Sequence, residues 1–125
     1  MKLKILLYIF FVVIIFQKIL LADEININSS KMKVLNEGNI INAFNVKADI
    51  PKKNIEIEGD EAIYDKKNSQ LTIINNVKFT DKLKNVYIEG KKVIYNQITD
   101  VVQTFGETYI KIENNYDVYS SDLVY

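Results

Sequence analysis

A chain of 125 residues with 16 basic and 16 acidic side chains, one proline and no histidine, cysteine or tryptophan has room for one domain at most. Every basic residue is a lysine, interspersed with acids, so there is no electrostatic footprint for nucleic acid. Without cysteine no disulfide forms, and without histidine or cysteine the common nucleophilic and acid–base arrangements are excluded.

The first element is a leader. Lys2 and Lys4 precede twelve uninterrupted apolar residues, Ile5 to Phe16; Gln17 and Lys18 follow, then Ile19 to Leu21 and Ala22. A basic start, a short apolar run and a small residue at its end predict a secretory signal peptide over residues 1–22, cleaved after Ala22. Leu20 stands where a small residue is preferred, so a retained membrane anchor is the alternative. The run, however, stops short of the roughly 20 apolar residues that a span needs. Removing the leader takes three of the 16 basic residues and no acid, which leaves a formal charge of about −3. An exported chain without disulfides must be held together by sheet packing.

From Ile25 onward one pattern recurs about every thirty residues. Its copies read Ile25, Ile27, Ser29, Met32, Val34; then Ile55, Ile57, Gly59, Ala62, Tyr64; then Val86, Ile88, Gly90, Val93, Tyr95; and finally Tyr116, Val118, Ser120, Leu123, Tyr125. Two apolar residues and a small one alternate at period two, the signature of a half-buried strand. A three-residue step then puts the next pair on the wrong face unless an extra residue is accommodated. A bulge is therefore predicted at Asp60-Glu61, Lys91-Lys92 and their equivalents.

Complementary strands fill the intervals. Leu71-Thr72-Ile73 and Val77-Lys78-Phe79 alternate on either side of a break at Asn75-Asn76, after a turn signal at Asp65-Lys66-Lys67-Asn68-Ser69. Asn45 to Ala48 and Gly106 to Ile112 are their counterparts. Polar links fall at Lys52 to Asn54, Asp81 to Asn85 and Glu113 to Asn115, and Pro51 lies in a connection where a missing amide hydrogen does little harm. Beyond the leader there is no helical period. The reading is an all-β repeat array of antiparallel, kinked strand pairs, each about 30 residues long, stacked with two open ends that offer unpaired strands to another β-protein. The last copy ends at Tyr125 with no capping unit, which predicts that the protein continues.

The segments Ile57-Glu58-Gly59-Asp60-Glu61-Ala62-Ile63-Tyr64-Asp65 and Ile88-Glu89-Gly90-Lys91-Lys92-Val93-Ile94-Tyr95-Asn96, each followed by a turn and a second strand, resemble the OstA-like repeat. That family holds the lipopolysaccharide-transport periplasmic domains of LptA and LptC type and the N-terminal domain of LptD type. The resemblance covers roughly residues 25 to 125. It departs at Ser29, at Met32-Lys33-Val34 and at Asn75-Asn76, where the family has glycine, an aromatic end and a glycine-bearing turn. It implies an open antiparallel β-jellyroll over residues 23–125 and a periplasmic location. It further implies lipopolysaccharide as ligand, sister β-jellyroll proteins as partners through edge strands, and transport without an enzyme activity or cofactor. Membrane association through residues 5–21 or through partners is compatible with it.

The inward set is Ile55, Ile57, Ala62, Tyr64, Leu71, Ile73, Val77, Phe79, Val86, Ile88, Val93, Tyr95, Ile110 and Ile112. By alternation alone these close a core, as in any sheet protein. By the family resemblance they line a groove for acyl chains. Gly59, Gly90 and Ser120 serve backbone geometry. Glu56 and Glu58 lie on the opposite, solvated face and are not a catalytic pair. Asp60-Glu61 and Lys91-Lys92 have opposite sign and are a candidate ion pair. Asp65 to Ser69 lacks the ligand spacing of a calcium loop, so neither a metal nor a catalytic site is expected. A structural scaffold or adhesin-like segment with a dry interior is the rival reading.

Overall fold

The computed structural model describes residues 23–113 and 115–125; the predicted leader lies outside them. Among the described residues there are eight strands: β1 (Asn26–Asn28), β2 (Lys31–Leu35), β3 (Ile40–Ile50), β4 (Ile55–Asp65), β5 (Gln70–Asp81), β6 (Val86–Asn96), β7 (Val101–Ile112) and β8 (Tyr116–Val124). Two three-residue 3-10 turns, Asn36–Gly38 and Pro51–Lys53, are the helical elements among the described residues. β3 to β8 form an antiparallel meander, each strand beside its sequence neighbour, and β1 and β2 both pair with the outer edge of β3. The all-β antiparallel array read from the sequence is the observed architecture.

Each long strand is kinked near its middle, and the kinks line up across the sheet. Below the line lie the halves next to the turns at Pro51–Lys53, Lys82 to Asn85 and Glu113. Above it lie the halves next to the turns at Lys66 to Ser69 and Gln97 to Asp100. Lys53, in a lower turn, reaches Gln97 and Asp100 in an upper one. The Phe79 ring of the lower half lies 5.9 Å from the Tyr95 ring of the upper half. The sheet is therefore doubled over on itself, and the side chains between its halves form the core.

The stutter falls at the expected height, but the inserted residue does not fall on the expected strand. Pairing shifts between Glu58 and Glu61 on β4 and between Gly90 and Lys92 on β6. From the pair Ile57 and Phe79 to the pair Ala62 and Ile73, β4 advances five residues while β5 advances six. The extra residue thus belongs to β5, where Asn75 and Asn76 take left-handed backbone with φ of 62° and 51°. In β7 the same insertion falls at Gly106, with φ of 82°. Asn and Gly are the residues that adopt this region at least cost, so the bulge settles on them and not on Asp60-Glu61 or Lys91-Lys92. The break expected at Asn75-Asn76 is a kink within one continuous strand. The ion pair proposed between the two charged dipeptides is replaced by local partners. Asp60 accepts from Asn76 Nδ2 at 2.8 Å, and Lys91 lies 3.9 Å from Glu107, because β5 stands between β4 and β6.

The first copy of the repeat is two strands, not one. β3 kinks at Asn45 (φ 51°), and the edge facing it breaks at Ser30. Ser30 donates its N–H to the Phe44 carbonyl at 2.9 Å and accepts from Asn45 Nδ2 at 2.9 Å. Residues 40 to 44, unassigned by the sequence pattern, are the upper half of β3.

Candidate functional site

Inward side chains form rows that run across the strands for the length of the stack. One row reads Ile27, Ala48, Ile57, Phe79, Ile88, Ile110 and Val118. A second reads Met32, Ala43, Ala62, Ile73, Val93, Thr104 and Leu123. A third contains Ile41, Tyr64, Leu71, Tyr95 and Val102. The first row belongs to the lower half of the fold and the other two to the upper half, so the rows face one another across the core.

Of the predicted inward set, Ile55, Ile57, Ala62, Leu71, Ile73, Val77, Phe79, Val86, Ile88, Val93, Tyr95 and Ile110 are buried and Tyr64 is half-buried against them. Ile57 and Tyr64 share a face, as do Ile88 and Tyr95. Ile112 is the exception: it ends β7 in phase with Ile110 but is 37% exposed, because the strand beside it, β8, offers at that position Tyr116, itself 64% exposed. The sequence pattern missed Ala43, Val46, Ala48 and Ile50 of β3, and Val102, Thr104 and Thr108 of β7. The alternation of Val46, Ala48 and Ile50 was available as a signal, whereas Thr104 and Thr108, though in phase with Val102 and Ile110, are polar. Thr108 Oγ1 donates to Thr104 Oγ1 at 2.8 Å, satisfying a buried hydroxyl.

Where the halves meet at the water's edge, a polar cluster spans the mouth of the fold. The Asp100 carboxylate accepts from the Tyr95 hydroxyl at 2.8 Å and from Lys53 Nζ at 3.3 Å, and Lys84 Nζ lies 3.5 Å from its other oxygen. Lys53 also faces the Asp23 carboxylate at 3.5 Å, and the Asp23 carbonyl accepts from Gln97 Nε2 at 2.7 Å. Gln97 Oε1 accepts from the Tyr64 hydroxyl at 2.9 Å. Burial pushes the Asp100 carboxyl up, but the hydrogen bonds from Tyr95 and Lys53 and the charges of Lys53 and Lys84 outweigh it, so it titrates below the ordinary carboxylate range. Burial, then the hydrogen bond to Asp100 and its charge, push the Tyr95 phenol well above its usual range. These groups are mutually paired donors and acceptors, an arrangement that holds two edges together and leaves none of its acids in a basic role.

Two grooves lie on the outside. One, of about 780 Å³, is bordered by Lys78, Glu89, Lys91, Glu107, Tyr109 and Tyr119 at the kinks of β5 to β8. The other, of about 560 Å³, lies against Lys47, Asp49, Glu56 and Glu58. Both are walled by the charged outer face. Glu56 and Glu58 are there as expected, meeting Lys82 and, at 3.5 Å, Lys47.

A doubled-over antiparallel meander with an apolar interior shared by repeated strands, closed by paired polar groups, defines a β-jellyroll of the open, repeat-built class. The model of the family described as LptA/(LptD N-terminal domain) LPS transport protein matches residues 13–101, well over half of the chain, and the chain belongs to that family. Among solved structures it is similar to LptH of Pseudomonas aeruginosa, described as the LptA homologous periplasmic component of the conserved lipopolysaccharide transport device. The TM-score is 0.72 at 13% identity, over 82% of this chain and 76% of that one, a likeness of fold. No curated protein matches by sequence.

Proposed function

We propose that this chain is a periplasmic carrier of lipopolysaccharide on its way to the outer membrane, working without catalysis and holding acyl chains between the two halves of its sheet. The observation that carries this reading is the continuity of the inward rows. From β3 to β7 the lower row, Ala48, Ile57, Phe79, Ile88 and Ile110, is apolar and buried; at β8 it emerges, with Val118 39% exposed and Tyr116, beside Ile112, 64% exposed. A greasy interior that surfaces at an open edge suits a cargo passed along from one module to the next. Each methylene removed from water gains about 0.8 kcal/mol, and sliding along a continuous apolar row changes that little. Neighbouring modules of the same family are the partners, added as strands at the free edges of β8 and of β1 and β2. The fourteen inward residues are the candidate lining, and the leader, cleaved after Ala22, takes the chain across the inner membrane.

The interior of the isolated chain is packed: Phe79, Ile88 and Val93 have no exposed surface. Lipid entry therefore requires the halves to part, with the outer strand faces unchanged. Photoreactive residues at Phe79, Ile88 and Val118, in protein verified as folded by circular dichroism, test this. Crosslinks to lipopolysaccharide are expected at all three inward positions and not at Glu58 on the outer face. Folded protein that crosslinks at none of them has a dry interior, and the scaffold reading replaces the carrier.

A further inference from the structure

This inference rests on the carrier reading. A lipid whose chains lie between the halves of the sheet must leave its headgroup where the interior meets water, at the mouth. The lower turns that border the mouth bring Lys52, Lys53, Lys82 and Lys84 to one rim, on two adjacent connections. Lys82 is occupied by Glu56 on the outer face, and Lys52 is almost free, 79% exposed and 4.0 Å from Asp23. Lys53 and Lys84 point across the gap and converge on a single carboxylate of the opposite rim, that of Asp100.

Three donors surround that carboxylate: the Lys53 and Lys84 ammonium groups and the Tyr95 hydroxyl. The set matches what an oxyanion with more charge and more acceptor oxygens would use, since ammonium groups bind phosphate as point charges and a phenol adds a directed hydrogen bond. The donors are held in place independently of Asp100. Tyr95 is fixed by burial in the core. Lys84 lies 3.7 Å from Asp81, whose buried carboxylate also caps the turn by accepting the Lys84 N–H at 3.0 Å, and its ammonium sits 5.3 Å from the Tyr125 ring centre. Lys53 has Asp23 and the Gln97 carbonyl. Asp100 is the movable member. Its side chain is 40% exposed, at the end of a turn, and it regains full hydration by swinging outward.

We infer that Lys53, Lys84 and the Tyr95 hydroxyl form the binding site for a phosphate on an acylated headgroup, and that Asp100 fills this site when no lipid is held. Exchange of one anion for the other frees Asp100 from the opposite rim, while Lys53 keeps the Gln97 carbonyl at 3.0 Å. No bond is made or broken beyond these ion pairs and hydrogen bonds.

The test is competitive binding of diphosphoryl lipid A, the same lipid with its phosphates removed, and inorganic phosphate to the purified chain and to three variants. Lys53→Gln and Lys84→Gln each lower affinity for the diphosphoryl lipid about tenfold, the order of one charge-assisted hydrogen bond, and leave the dephosphorylated lipid unaffected. Asp100→Asn removes the competing anion and raises affinity for the diphosphoryl lipid, with inorganic phosphate binding far more weakly than either lipid. Lys84 is half-exposed, so its variant folds even where the one at Lys53 does not. Equal binding of the two lipids to every variant overturns the phosphate site and leaves the apolar interior standing. Inorganic phosphate bound as tightly as lipid makes this a free-anion site and overturns the headgroup assignment. Failure of both lipids to bind overturns the carrier reading along with it.

Discussion

β6 and β8 are written in the same pattern and meet different fates. Val86, Ile88, Val93 and Tyr95 of β6 are at most 3% exposed, whereas Tyr116 and Val118, the counterparts of Val86 and Ile88, are 64% and 39% exposed, and Leu123 and Tyr125, the counterparts of Val93 and Tyr95, are only partly buried. The spacing is identical and so is the face each side chain takes. What differs is company: β6 has β5 and β7 on its flanks, while β8 has β7 alone. Pattern decides where a strand's side chains point, and neighbours decide how much water they lose. The small residue before the kink follows the same gradient. A Cβ added to Gly59 would lie 2.3 Å from Ile73 Cγ2, one added to Gly90 meets nothing closer than Thr108 Oγ1 at 3.6 Å, and the fourth copy already carries a side chain, Ser120.

The comparison breaks most visibly in the core rows. Phe79→Ala, at the middle of the lower row, is expected to cost about 3–5 kcal/mol of folding free energy through lost burial and a cavity. Val118→Ala, at the end of the same row, is expected to cost less than about 1 kcal/mol. Urea midpoints of the two variants at equal slope measure this. Similar losses at both sites would mean that β8 is covered in solution and that its exposure here does not describe the working molecule.

Next in size is the pair of glycines. Gly59→Ala forces its methyl into Ile73, which is fully buried and has no room to yield, at about 1–3 kcal/mol. Gly90→Ala makes only ordinary contact and is expected within about 0.5 kcal/mol of the parent. Thermal melts distinguish them. A cost at Gly90 equal to that at Gly59 would show that backbone freedom, and not the space over the kink, selects glycine in these copies.

These differences also mark what was legible beforehand. Direction was readable: the period-two alternation at Ile55 and Ile57, resumed at Ala62 and Tyr64, required a stutter between them, and one is found there. The strand that carries the extra residue was not readable from that pattern alone, because both partners of a pair must be compared before a five-residue advance can be told from a six-residue one. The left-handed Asn75-Asn76 was visible as a break but looked like a strand end. Interior threonines escaped because hydropathy ranks Thr104 and Thr108 with the outer face, although they stand in phase with Val102 and Ile110. The mouth cluster escaped for another reason. Asp23 precedes β1, Lys53, Lys84 and Asp100 lie in three separate connections, and nothing short of the doubled sheet brings them together.

The smallest effect expected concerns that cluster and depends on pH. The Asp100 carboxyl titrates below its ordinary value in the folded chain, where hydrogen bonds and lysine charges overcome the opposing effect of burial. A depressed folded value means stability that is present above the carboxylate's unfolded range and is lost as pH falls through the folded one. The parent is therefore expected to lose this contribution as the pH falls through and below about 4, where free aspartate is half protonated. Asp100→Asn lacks the titration, so its stability relative to the parent improves as the solution is acidified. At neutral pH the two differ by less than about 1 kcal/mol, since the carboxylate is 40% exposed and its ion pairs are screened by water. Urea denaturation of both proteins between neutral pH and pH 3 reads this directly. A difference that stays constant across the range would show that Asp100 is not held by Lys53 and Lys84 in solution, and the two halves of the sheet would then be joined by their packed rows and the bond from Lys53 to the Gln97 carbonyl.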